Sequence, residues 1–316
     1  MKVLVTGADG FVGGWLVHHL LACGDAVVGA IRMGATAPAM LKESERMAVH
    51  WIDFDLMSPD SVDLLTKERV DAVIHLAAIA SGSDARSDPA HAWSVNAAGT
   101  ARLAEGFGHQ VVRGEGDPMF LLVSTGEVYG QGNGVAHLEA DPLIPCSPYA
   151  ASKVGAEVAA LEVHRRTGLR ALVARSFPHT GPGQSEKYVI PALALRLRAA
   201  GRAGAPVIKA GNLEPVRDLL DVRDVVAAYR LLVERGAAGT VYNVASGVGH
   251  SLADVKDRLA NLLGFSPLVE NDPALGRSND LQHLVGDPGR LVQATGWTPR
   301  LSLDQTLRDL IDAQAD

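Results

Sequence analysis

The sequence predicts an α/β protein: a doubly wound parallel sheet with a smaller, discontinuous C-terminal lobe. Three observations carry that expectation. Short apolar runs alternate with helical patterns through the first half. Glycines recur at 7, 10 and 13, directly after the first apolar run. Glycine and proline then cluster in the second half, at 178–184, 203–206 and 264–276.

Residues 2–6 form an apolar run that reads as a buried parallel strand. The loop Thr6-Gly7-Ala8-Asp9-Gly10-Phe11-Val12-Gly13 follows. Its glycines permit a tight turn, close backbone approach to a pyrophosphate, and close contact between helix and strand. A helix over 11–22 would aim its positive amino end at those phosphates. Further strands are expected at 26–31, 49–53, 72–77, 120–124 and 171–174, with helices near 58–67, 90–107, 149–167 and 189–200. Such alternation implies a parallel sheet with binding at the carboxyl ends of its strands. Residues 242–245 look like another core strand and 252–263 like a helix, so the chain leaves the sheet, returns, and leaves again. The expected division is 1–176 with about 219–246 for the dinucleotide, and about 177–218 with 247–316 for the substrate.

A chain of 316 residues can bury a large core, and 47% hydrophobic with 21% charged residues is ordinary for a soluble globular protein. A formal charge of −7 and a pI near 5.9 argue against nucleic acid as the main partner. No run approaches the roughly 18 apolar residues of a membrane span, so no membrane partner is expected. Met1-Lys2 leads directly into the first strand, leaving no room for a signal peptide. Cys23 and Cys146 form no metal spacing and no disulfide framework, and read as free thiols in a reducing cytoplasm. His18, His19, His50, His75, His91 and His109 show no ligand spacing either, so no metal is expected.

Tyr149 and Lys153 stand four apart, just downstream of Ser124-Thr125-Gly126-Glu127-Val128-Tyr129-Gly130. On a helix they share one face. A free tyrosine, with a pKa of about 10, is a poor proton donor or acceptor at neutral pH, and a fixed cation beside it stabilises the phenolate. Alone the pair is common on helices. Behind a nucleotide loop it points to proton transfer. The end of the second strand, Ile31-Arg32, lacks the acid that receives a ribose 2′-hydroxyl in NAD proteins. Arg32 could pair with a 2′-phosphate through its guanidinium fork, or simply be solvated. NADP is the favoured cofactor, with NAD possible.

Together these motifs resemble the extended short-chain dehydrogenase/reductase family, the branch acting on nucleotide-linked sugars, over nearly the whole chain. The carriers are the glycine loop, His75-Leu76-Ala77-Ala78, Ser124-Thr125 with Glu127 and Tyr129-Gly130, and Ser147-Pro148-Tyr149 with Lys153. Within that branch, His179-Thr180-Gly181-Pro182-Gly183-Gln184, the run 217–225, 242–247 and 284–287 are similar to reductases of GDP-4-dehydro-6-deoxy-D-mannose, which form GDP-D-rhamnose. The resemblance implies a Rossmann fold and a division of roles. Tyr149 would exchange a proton with the sugar C4 oxygen, Lys153 would hold the nicotinamide ribose, and Thr125 would orient the same oxygen, unless it only caps a turn. Asp55 and Leu56 would contact the adenine, and Leu76, Ala77 and Ala78 would line the cofactor. Arg217 and Arg277 would hold the nucleotide half of the substrate. A homodimer through helix 149–167 and the helix before it is implied as well, with Val154, Val158, Leu161, Ala156, Ala159 and Ala160 expected to provide surplus apolar surface.

Glu127 bears on the choice between enzymes. Sugar 4,6-dehydratases carry a carboxylate here to remove the C5 proton, and those acting on dTDP-glucose place an aspartate just before it. Gly126 occupies that neighbouring position. GDP-mannose dehydratases manage with one Glu, but usually carry a long arm after the second strand, for which 33–49 is too short. The family's usual Asn is Pro178 here, beside His179, so one expected polar contact is missing and His179 could replace part of it. A reductase is therefore expected. The alternatives are a GDP-mannose 4,6-dehydratase, a sugar-nucleotide 4-epimerase, and a non-catalytic dinucleotide sensor.

Overall fold

The computed structural model describes residues 1–275 and 281–314. The first half alternates β1 (Lys2–Thr6), α1 (Phe11–Ala22), β2 (Ala26–Arg32), α2 (Glu43–Met47), β3 (His50–Phe54), α3 (Pro59–Leu65) and β4 (Ala72–His75). It continues with α4 (Gly82–Ser87), α5 (Pro89–Trp93), a π-turn (Ser94–Gly99), α6 (Thr100–Val112), β5 (Met119–Thr125), α7 (Pro148–Thr167) and β6 (Arg170–Ser176). The second half contributes β7 (His179–Thr180), α8 (Val189–Ala203), β8 (Val207–Ala210), β9 (Val216–Asp218), β10 (Leu220–Asp221), α9 (Val222–Arg235) and β11 (Val241–Val244). It ends with β12 (Gly249–Ser251), α10 (Leu252–Leu263), β13 (Leu268–Asn271), β14 (His283–Leu284), α11 (Gly289–Thr295) and α12 (Leu303–Ala313).

Seven strands form one parallel sheet in the order β11-β6-β5-β4-β1-β2-β3. Its inner strands are apolar on both faces, as a sheet covered by helices on each side requires. Val3 and Val5 of β1 turn to one face and join Leu16 and Leu20 of α1 with Tyr229 and Leu232 of α9. Leu4 turns to the other and joins Leu103 and Phe107 of α6 with Ala156 and Ala160 of α7. Strand order reverses between β1 and β4, whose ends pair Thr6 with His75. A ligand crevice opens outside the carboxyl ends at such a reversal. A third core gathers Ile190 and Leu193 of α8, Val255 and Leu259 of α10, and Leu307 and Leu310 of α12.

Four expectations are corrected. The helix at 90–107 is α5, a π-turn and α6, because the chain loosens by one residue around Asn96. The strand at 72–77 stops at His75, because the amide of Ala77 turns to Thr6 Oγ1 instead of continuing the ladder. β11 meets the strand expected at 242–245, but the other short strands of the second half were not foreseen. Of the apolar residues expected to be surplus on α7, Ala156 and Ala160 are buried against the sheet, and Val154, Ala159 and Leu161 are half-buried. Only Val158 is exposed.

α7 starts cleanly because Ser147 Oγ accepts from the Ala150 amide at 3.1 Å and Pro148 occupies the first turn. It stops at Gly168, which adopts a φ of +82°. Between β2 and β3 the chain folds back on α1 through α2, where His18 Nδ1 meets Glu45 Oε1 at 2.6 Å.

Candidate active site

The loop after β1 is built around two glycines. Gly7 has a φ of +70°, and a Cβ there would lie 2.9 Å from the Ala77 amide nitrogen. A Cβ on Gly13 would overlap the Gly7 carbonyl oxygen. Gly10 begins α1 with no side-chain cap and no acidic residue in the first turn, so the helix end offers backbone N–H groups to an anion. Such a cradle fits a dinucleotide pyrophosphate. Phe11 and Val12 pack beneath it against the sheet.

A directed hydrogen-bond chain fixes the opposite wall. The Ala77 amide donates to Thr6 Oγ1 at 3.2 Å, and Thr6 Oγ1 lies 2.7 Å from His75 Nδ1. His75 Nε2 lies 3.0 Å from Thr100 Oγ1, whose own proton goes to the Asn96 carbonyl at 2.6 Å. Because each hydroxyl has one proton to give, His75 must donate from Nε2 and accept at Nδ1. Burial, and secondarily the Lys153 charge, lower its pKa to about 3, which keeps it neutral. Asn96 also clamps Ile79, accepting from its amide at 2.8 Å and donating to its carbonyl at 3.1 Å, and reaches Ser152 Oγ at 2.9 Å. The π-turn thus ties the loop holding Leu76, Ala77 and Ala78 to the helix that carries Lys153. Thr6, His75, Asn96 and Thr100 were not recognised as a set from sequence.

Tyr149 stands in the first turn of α7 with its hydroxyl near Thr125 at the end of β5. Burial, then the Glu127 carboxylate, hold the phenol well above its ordinary range, while Thr125 opposes them. Lys153 is buried and its pKa falls to about 8, with Glu157 opposing the fall. The expectation that Lys153 draws the phenol toward neutrality is therefore not met here: desolvation governs both groups, and Lys153 is not among the leading influences on Tyr149. Glu127 is half-buried in a short 3₁₀ turn, its amide donating to Thr125 Oγ1 at 3.2 Å.

Beneath this group lies a buried polar network that sequence reasoning missed. Glu157 accepts from Ser124 Oγ at 2.5 Å and from Arg175 Nη2 at 2.7 Å. Arg175 Nη1 donates to Tyr129 Oη at 2.9 Å, which donates to Asn243 Oδ1 at 2.7 Å. The i, i+4 spacing of Lys153 and Glu157 was the available signal. Phe177 is fully buried beside Gly126, where a Cβ would meet three ring carbons at 3.0 Å.

The remaining expected residues scatter. Arg32 is bound to Asp9, its Nε donating to Oδ2 at 2.7 Å. Asp55 accepts from the Met57 amide at 2.9 Å, and Leu56 is buried against Gly99. His179 Nδ1 faces the Phe177 carbonyl at 3.0 Å, and burial lowers its pKa, so it stays neutral. Arg217 Nη1 donates to the carbonyls of Val216 at 2.9 Å and Leu281 at 2.6 Å. Arg277 lies outside the described residues. Among the described residues no group of three metal-ligating side chains occurs, and no helix is long and apolar enough to cross a membrane.

A parallel sheet with the 3-2-1-4-5-6 order, a glycine cradle at its reversal point, Thr125 at the end of β5, and Tyr149 and Lys153 in the first turns of α7 define an enzyme of the NAD(P)-dependent extended short-chain dehydrogenase/reductase class. Residues 4–310 match the family described as GDP-mannose 4,6 dehydratase, and the chain belongs to that family. It is 35% identical over 313 residues to GDP-6-deoxy-D-mannose reductase of Pseudomonas aeruginosa, covering 98% of this chain and 96% of that one. The structure of RMD from Pseudomonas aeruginosa complexed with NADPH superposes with a TM-score of 0.82 at 33% identity, covering 99% and 98% of the two chains. UDP-glucose 4-epimerase of Thermus thermophilus, complexed with NAD, gives a TM-score of 0.85 at 30% identity, covering 99% and 98% of the two chains. The chain is thus a member of the nucleotide-sugar reductase, dehydratase and epimerase superfamily.

Proposed function

We propose that the protein reduces the C4 keto group of a 4-keto-6-deoxy nucleotide sugar, with GDP-4-dehydro-6-deoxy-D-mannose as substrate and GDP-D-rhamnose as product. The observation that carries reduction is the Phe177 ring against Gly126. A dehydratase of the two-acid kind needs a carboxylic acid beside Glu127, and even a Cβ at 126 meets that ring at 3.0 Å. The short segment holding α2 favours the same reading, as does the likeness to a GDP-6-deoxy-D-mannose reductase. Glu127 is what favours the second reading, a GDP-mannose 4,6-dehydratase that works with one carboxylate. A non-catalytic sensor is disfavoured because Thr125, Tyr149 and Lys153 are all retained around one site.

Gly7, Gly10, Phe11, Val12 and Gly13 hold the cofactor's pyrophosphate, Asp55 and Leu56 its adenine, and Leu76, Ala77 and Ala78 its flank. NADP is the preferred form and NAD a second one. When bound as NADPH, the cofactor supplies the hydride that sugar C4 receives. Tyr149 gives its phenolic proton to the C4 oxygen, so the carbonyl becomes a secondary alcohol. The phenol is protonated at neutral pH and so has that proton to give. Thr125 orients the same C4 oxygen, Lys153 holds the ribose, and Glu127 positions the sugar. Arg217 and Arg277 hold the nucleotide half of the substrate, and His179 takes over part of the contact that Pro178 cannot make.

The cofactor unit comprises 1–176 with about 219–246, and the substrate lobe about 177–218 with 247–316. Two copies pair through α7 and the helices before it. Val158, 60% exposed, and Trp93, 45% exposed with its ring against Gly155, form the apolar centre of that face. The free thiols of Cys23 and Cys146 suit a reducing cytoplasm. Mass spectrometry after incubation with a panel of nucleotide sugars tests the reaction. GDP-4-dehydro-6-deoxy-D-mannose should gain two hydrogens only when NADPH is present. A 4-keto product formed from GDP-mannose alone would install the dehydratase reading instead.

A further inference from the structure

β2 ends at Arg32, and the loop after β1 carries Asp9 between Gly7 and Gly10. The Arg32 side chain is 84% exposed and that of Asp9 only 5%, so a surface cation is moored to a nearly buried carboxylate. The mooring runs through Nε. It leaves Nη1 and Nη2 outward, and these two nitrogens form a fork suited to phosphate oxygens. In dinucleotide-binding sheets the end of the second strand supplies either an acid for a ribose 2′-hydroxyl or an arginine for a 2′-phosphate. Here the strand supplies the arginine, the neighbouring loop supplies an acid, and the two hold each other.

We infer that Asp9 and Arg32 set cofactor selectivity as a unit: Arg32 attracts a 2′-phosphate, while Asp9 opposes that charge and accepts a 2′-hydroxyl when the phosphate is absent. The inference rests on the dinucleotide reading above and deepens it by naming Asp9 as the residue that keeps NAD usable. A charge-assisted contact to Arg32 alone would favour the phosphorylated cofactor about tenfold to a hundredfold. A 2′-phosphate carrying a charge of about −1.5 to −2 and held by Arg32 stands close enough to the Asp9 carboxylate for like-charge repulsion to cost a factor of about six to ten even in water. The two effects are comparable, so the pair leaves a small preference for NADPH. Asp9 cannot easily swing away, because it is nearly buried and sits at the positive end of α1.

Calorimetric titration of the wild-type chain, Asp9→Asn and Arg32→Gln with NADPH, NADH, 2′,5′-ADP and 5′-AMP tests this without reference to turnover. Asp9→Asn should tighten NADPH and 2′,5′-ADP about sixfold or more and weaken NADH. Arg32→Gln should weaken NADPH and 2′,5′-ADP at least about tenfold and leave NADH and 5′-AMP unchanged. Asp9→Ser removes the same charge with a different side chain and should move the ratio in the same direction. If Asp9→Asn weakens NADPH as Arg32→Gln does, Asp9 is only a splint for the arginine and the inference is overturned. An unchanged NADPH-to-NADH ratio overturns it equally. A wild-type chain that binds none of the four ligands sinks the dinucleotide reading itself, and this inference with it.

Discussion

Replacing Glu157 by Gln removes one negative charge from a buried point where β5, β6 and α7 meet. Its two oxygens accept from Ser124 Oγ at 2.5 Å and from Arg175 Nη2 at 2.7 Å, with Arg175 Nε at 3.1 Å and 3.2 Å to the pair. Glutamine keeps the shape, offers one oxygen in place of two, and cannot neutralise Arg175, which is itself buried. Leaving one member of a buried pair uncompensated costs about 3–5 kcal/mol, a large share of the roughly 5–15 kcal/mol that holds a domain folded. A second consequence reaches the site. Glu157 is the group that opposes the fall of the Lys153 pKa to about 8, so without it Lys153 loses its proton at still lower pH. The sign follows from linkage. A lysine whose folded pKa lies below its ordinary value of 10.5 destabilises the fold fully below about pH 8, and the penalty fades as pH rises from there toward 10.5. In the variant that window opens at lower pH. Urea unfolding at pH 7 and kcat/KM profiles across neutral to alkaline pH should be measured for both proteins. The expected result is a loss of about 3 kcal/mol or more, together with an alkaline activity limb displaced to lower pH. A loss under about 1 kcal/mol with an unmoved limb would refute the reasoning.

Three further outcomes are expected. Tyr149→Phe should lower turnover by about two to four orders of magnitude while NADPH affinity, measured by direct titration, stays near wild type; full activity would remove Tyr149 from proton transfer. Gly126→Ala should destabilise the protein by about 1–3 kcal/mol through overpacking against Phe177, read as a lower urea midpoint, and an unchanged midpoint would mean that position 126 has room for an acid after all. Sedimentation at micromolar concentration should give a dimer that Val158→Arg converts to a monomer, and a strictly monomeric wild type would count against pairing through α7.

The legible parts of the fold were those whose cause is local. The glycine loop announces itself because Gly7 and Gly13 are sites where a Cβ has nowhere to go. α7 announces itself through Ser147 and Pro148, a cap and a first-turn proline. What stayed hidden depends on partners far along the chain. Arg32 looks solvated until β2 lies beside β1 and brings Asp9, 23 residues away, against it. Glu157 looks like another helix carboxylate until β6 delivers Arg175 beneath α7. The π-turn at Ser94–Gly99 keeps the apolar spacing of an ordinary helix, so no periodicity marks it, and the Asn96 clamp on Ile79 that accompanies it joins residues 17 apart. Apart from β11, the short strands of the second half are two to four residues long, at or below the length at which alternation becomes readable.

The central claim is that this fold delivers a fresh hydride to sugar C4 in each turnover, with Tyr149 supplying the proton. Incubation of GDP-4-dehydro-6-deoxy-D-mannose with NADPH deuterated at the transferable C4 position tests it most directly. The expected result is one deuterium in the product, located at sugar C4, with one NADPH consumed per product. Product without deuterium, or conversion of GDP-mannose with no NADPH added, would contradict it.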